Sequence, residues 1–200
     1  MILRGAPGGV IDELPYAVTC DDLGVVKTQT ELIDGLRHVG YEVTMTAESA
    51  ARLGRHVTDE FVRNALLESM LLHIRSLTDF FVYTNPRPRP TDMLRIHFAP
   101  EWTAPKPEAT RVLAGRNALH KHLAHLTWER VDQGKQGYPL AAAQDIIRIA
   151  DAWSRHLGAH DAALHAEFRP FALNARAVIA PRSPYVVTQT TMQTVITTTS

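Results

Sequence analysis

The stretch that decides the fold is TDEFVRNALLESMLLHIRSLTDFFVY, residues 58–83. Its apolar positions Leu66, Met70, Ile74, Leu77 and Phe81 recur at steps of three and four, the period of an α-helix rather than the alternation of a strand. Leu67, Leu71 and Phe80 widen that stripe, so the helix is expected to be central and contacted on more than one side. Thr58 reads as its N-cap, with Asp59 and Glu60 in the first turn where the helix dipole favours acids, and Val57 able to staple to Val62. The run NPRPRP, 85–90, must end it, because each proline removes a backbone donor and disfavours helix at the residue before it.

Outward from this helix the period stays helical. Upstream, Val25, Gln29, Leu32, Leu36 and Val39 mark a helix that Gly40 is expected to stop, and TAESAARLGRH adds a short helical piece after Thr46. Downstream, 92–102 reads as a short helix, and Pro105 and Pro107 reset the chain for a helix over about 108–133. Pro139 opens another, with Leu140, Ala143, Ile146, Ile147, Ala150, Trp153 and Leu157 on one face. An Ala-rich stretch, 160–178, gives a last short helix interrupted by Pro170. No hairpin signal and no internal repeat occurs, so the expected fold is all-α, a single-domain bundle of four to five helices over 23–180. An irregular lead-in, 1–22, and a Thr-rich tail, 181–200, flank it.

Composition narrows the classes. In a chain of 200 residues, 21 Lys and Arg balance 21 Asp and Glu, which leaves no broad basic surface of the kind non-specific nucleic-acid binding needs. A single cysteine, Cys20, excludes an internal disulfide and any Cys-rich zinc module. The N-terminal stretch has no apolar signal core and no run approaches a membrane span, so a cytoplasmic protein without membrane contact is expected. Neither a phosphate-cradling Gly-rich loop nor a G-x-S-x-G nucleophile elbow is present. The prolines flank Arg87 and Arg89 in a basic turn that reads as solvated. Trp102, Trp128 and Trp153 read as core anchors rather than a base-stacking platform.

The chemistry-bearing residues cluster on two helices. Ten histidines is a high count, and RNALHKHLAHLTWER, 116–130, holds a cluster of them. At 100° per residue His122, His125 and Glu129 share a face beside the apolar stripe of Leu119, Leu123 and Leu126, whereas His120 points elsewhere. On the 58–83 helix the polar members are Glu68, His73, Arg75 and Asp79, with Arg75 and Asp79 spaced as an i, i+4 pair and His73 beside Met70 and Leu77. Three readings of these groups stay open. They form a structural polar network that specifies packing. Alternatively His122, His125 and Glu129, with His73 from the facing helix, hold zinc or iron as bundle proteins do. Or the helices form a binding and oligomerisation module without chemistry.

The words ALLESMLLHIRSLTDFF, 65–81, and RNALHKHLAHLTWER, 116–130, resemble helices of the HEPN-like superfamily, all-α domains of prokaryotic toxin, abortive-infection and RNA-cleaving systems. The resemblance spans about 55–135. It implies an Arg followed after four to six residues by a His, often with a polar residue after the Arg; Arg116, Asn117 and His122 fit that pattern. The implied activity is a metal-independent endoribonuclease without cofactor, working across a homodimer interface on RNA, with a partner or antitoxin protein as regulator. In such a site an imidazole moves protons and a guanidinium neutralises phosphoryl oxygens. A second register of HKHLAH places Leu119 and His120 at the Arg and Asn positions, and implies a catalytically silent relative.

Overall fold

A computed structural model describes residues 27–55, 57–83, 85, 87–124 and 140–180, with the backbone alone at 118 and 120–124. Within these residues the chain is all-α, in five helices: α1 Gln29–Leu53, α2 Glu60–Phe81, α3 Lys106–Ala124, α4 Leu140–His160 and α5 Ala162–Ile179. The segments 1–26 and 181–200 lie outside the described residues, and so do 125–139, where the end expected for the third helix falls.

α1 is one continuous helix, not the two pieces expected. A capping box starts it, with Glu31 N–H donating to the Thr28 hydroxyl and Thr28 N–H donating back to Glu31. Gly40 does not stop it, because Gly40 serves a helix crossing instead. It is buried where α1 meets α5, and a Cβ there would stand 2.4 Å from Cδ2 of Phe171. Periodicity reads a glycine after a basic turn as a C-cap, yet only the neighbouring helix decides whether the missing side chain ends the helix or admits a ring.

α2 begins one residue later than its sequence suggests: Asp59, rather than Thr58, is the N-cap and accepts from Val62 N–H. The expected short helix over 92–102 shrinks to a single 3-10 turn, Arg95–His97. α5 is longer than its proline implied. Asp161 caps it by accepting from the N–H groups of Ala163 and Leu164, and it runs through Pro170, whose ring is exposed. Leu164 and Phe168 before the proline, and Ala172 and Ala175 after it, are buried, so packing offsets the lost backbone bond.

α1 packs against α2, α4 and α5, α4 and α5 form an antiparallel pair, and α3 lies across α2 and α4. Trp153, fully buried, stands at the centre, with Phe80, Phe81, Phe98 and Phe168 edge-on around it at centroid distances of 5.4, 5.3, 6.0 and 4.9 Å. Leu77, Phe81, Leu119 and Ile147 are buried as their spacing predicts, Leu66 is only half-buried, and the side chain of Leu123 lies outside the described part. No helix among the described residues is long and apolar enough to cross a membrane.

Candidate functional site

α2 and α3 meet at an ionic contact. Asp79, in the last turn of α2, accepts from Nε of Arg116 on α3 at 2.8 Å. The guanidinium also lies over the ring of Tyr83, its carbon 3.6 Å from the ring centroid. A cation over an aromatic face is attracted by the ring's quadrupole, so the arginine is fixed from two directions. Among the described residues its terminal nitrogens take no partner. They remain donors in a fork whose shape matches a phosphate.

Beside this contact opens a cleft of about 280 Å³, lined by Ser76, Asp79, Tyr83, Asn85, Asp92 and Arg116 among others. One wall is the proline-rich loop, whose polar side chains are tied to its own backbone. Asn85 accepts from Arg87 N–H at 3.0 Å, and Asp92 accepts from Arg89 N–H at 2.9 Å. Arg87 and Arg89 themselves are exposed, as their proline setting predicts. Across the same loop, sharing Asp92 and Met93, lies a second cleft of about 290 Å³ against α1, rimmed by Lys27, Asp34, His38 and His97. Burial, then the nearby Lys27 charge, lowers the His97 pKa, which holds the ring neutral, and its Nδ1 accepts from Leu94 N–H at 3.3 Å.

The residues singled out in the sequence are distributed as follows. Arg116 and Asp79 are brought together, and Asn117 is exposed on the next position of α3. Asp79 is therefore taken by Arg116 across the helix contact rather than by Arg75 within α2. His122 belongs to the backbone of α3 and its side chain lies outside the described part, as do His125 and Glu129 entirely. His73 is 7% exposed and turned to α1, where its Nδ1 is 2.7 Å from a carboxylate oxygen of Glu42 and its ring meets Tyr41 edge-on. Glu68 is exposed and Arg75 half-buried. No group of three or more His, Cys, Asp or Glu among the described residues is placed to hold a metal ion.

Tyr83 and Asn85 escaped the sequence reading, because both follow the end of the periodic segment. Their signal was there nonetheless: Tyr83 stands four residues after Asp79, one turn on and on the same face. A separate cross-helix fork braces the scaffold behind the site, where Arg111 of α3 donates through Nε and a terminal nitrogen to both oxygens of Asp145 on α4, each at 2.8 Å. Arg148 adds a third bond at 3.0 Å. These hydrogen bonds, that from Arg111 foremost, lower the pKa of Asp145 although its burial opposes the shift. Comparison of the chain with family models, with curated proteins and with solved structures returns no match.

Proposed function

We propose that this chain is a HEPN-like helical protein whose α2–α3 cleft binds an RNA phosphodiester and cleaves it without metal, in a prokaryotic defence or toxin system. The observation that carries the reading is Arg116, held by Asp79 and Tyr83 at the rim of an open cleft with its terminal nitrogens uncommitted among the described residues. A guanidinium so fixed is preorganised for the non-bridging oxygens of a phosphate, where charge develops in the transition state. The resemblance assigns proton transfer to His122 and a supporting polar role to Asn117. In the implied reaction the ribose 2′-oxygen loses its proton to the base and bonds to the adjacent phosphorus. The 5′-oxygen then leaves and takes up a proton, giving a 2′,3′-cyclic phosphate and a 5′-hydroxyl.

The test is incubation of the full chain with mixed single-stranded and structured RNA in EDTA, with products resolved by end chemistry. Cyclic-phosphate ends from wild type, and their loss in H122A and R116A with unchanged helical circular dichroism, support the reading; intact RNA with wild type overturns it. A second reading, a non-catalytic binding module, draws on one observation: Phe61 and Leu72 of α2 are 81% and 49% exposed.

A further inference from the structure

The cleft beside Arg116 holds a second carboxylate that plays no part in fixing the arginine. Asp79 is bonded to the guanidinium, whereas Asp92, on the wall made by the proline-rich loop, is half-buried and takes no ion-pair partner among the described residues. Its Oδ2 accepts from Arg89 N–H at 2.9 Å, which ties the carboxylate to its own loop and leaves Oδ1 and the second lone pair of Oδ2 open. No group of three or more ligands placed to hold a metal ion includes it among the described residues. In a cleft that receives a phosphate, a negative charge repels the ligand unless it meets hydrogen-bond donors, and an RNA carries its donors on base edges and ribose hydroxyls.

The neighbouring amide narrows the choice. Asn85 belongs to the same loop and lines the same cleft; its Oδ1 accepts from Arg87 N–H at 3.0 Å, so the group left to the cleft is the Nδ2 amide, a donor. One donor beside a carboxylate open at both oxygens matches an edge of one acceptor followed by two donors. Guanine has that edge in O6, N1–H and N2–H. Adenine and cytosine set one amino donor beside a ring-nitrogen acceptor, and uracil sets one N–H between two carbonyls, so each leaves a carboxylate oxygen unmatched. A ribose hydroxyl offers a single donor and no distinction between bases. Met93, 41% exposed, and Leu94 add the apolar surface of the loop against which a base ring packs.

We propose that the loop wall of the α2–α3 cleft is a base subsite selective for guanine, with Asp92 accepting from N1–H and N2–H, Asn85 donating to O6 and Arg116 holding the adjoining phosphate. The inference rests on the proposed RNA-binding role of the cleft and adds its substrate class. Because the edge engaged is the one used in base pairing, the guanine is an unpaired one, in a single strand or a loop.

The test is an NMR titration of the full chain in EDTA with the 3′-monophosphates of guanosine, inosine, adenosine, cytidine and uridine, run beside mapping of the cut sites in RNA. Wild type is expected to bind the guanosine nucleotide about 10-fold or more tighter than the others. Inosine, which lacks only the N2 amino group, falls to their level. D92N and N85D each keep an acceptor for the loop N–H they now bind, and each loses the preference for guanosine, whereas R116A weakens all five nucleotides together. Cuts by wild type fall next to unpaired guanines. Guanosine selectivity that depends on Asp92, with no RNA cleaved, supports the subsite and overturns the nuclease reading; cleavage indifferent to guanine leaves that reading standing and overturns the subsite. Equal binding of the guanosine and inosine nucleotides, a preference that survives D92N, or no saturable binding of any nucleotide also overturns the proposal.

Discussion

Position 116 shows how a single side chain is held by two unlike forces, a charge-assisted hydrogen bond to Asp79 and the quadrupole of Tyr83. Removing the ring while keeping its bulk, Tyr83→Leu, should lower stability by about 0.5–2 kcal/mol, the range of a partly desolvated cation–π contact; a chemical denaturation midpoint equal to wild type would show the stacking to be idle. Asp145 makes a different prediction, because its pKa is lowered by hydrogen bonds from Arg111 and Arg148. Its stabilising contribution is complete above the unfolded carboxylate value of about 4 and is lost as pH falls through the lower folded value. The wild-type midpoint should therefore fall on acidification below about pH 4, whereas Asp145→Asn should already be weaker by about 1–3 kcal/mol at neutral pH and should lack that part of the acid response. Identical acid profiles for the two would contradict the assignment. Arg116 and Asp79 were both visible in the sequence, but as members of separate helices. Spacing along one helix suggests Arg75 as the partner of Asp79, and only the packing of α3 on α2 supplies Arg116.

Among the elements, α1 and α5 are joined most closely at Gly40. Alanine is the better helix former by about 1 kcal/mol, so Gly40→Ala would stabilise an isolated α1. Within the bundle the new methyl meets the Phe171 ring. The net effect should be a loss of about 1–3 kcal/mol from overpacking, and pairing it with Phe171→Ala should recover part of that loss in a thermal melt; additive losses would rule the crossing out as the cause. The existence of α2 and α4 was legible because broad apolar stripes leave little choice of period, and that of α3 because Pro105 and Pro107 mark where a new helix starts. The ends and continuity of helices were less so. Gly40 and Pro170 are both local breakers by composition, and each is overridden by burial that no window of sequence contains: Phe171 over Gly40, and Phe168 and Ala172 beside Pro170.

For the molecule as a whole, a core built around Trp153 seats three helices that matter to the cleft. Phe80 and Phe81 bring α2 to the tryptophan, Leu119 and Val112 bury the inner side of α3, and the Asp145 fork fixes α3 to α4. The position of Arg116 beside Asp79 is thus set by the packing of the bundle, and Tyr83 joins them from the start of the loop that follows α2. The most direct measurement is the single-turnover rate of RNA cleavage in EDTA for wild type, R116K and R116A, each checked for an unchanged melting temperature. Lysine keeps the charge but loses the planar fork and its stacking on Tyr83. A guanidinium that binds the phosphate in the transition state predicts that R116K falls nearly as far as R116A, on the order of 100-fold or more, the scale of losing one oriented donor to a developing oxyanion. Cleavage by R116A at the wild-type rate would contradict the assignment of the cleft as the catalytic site.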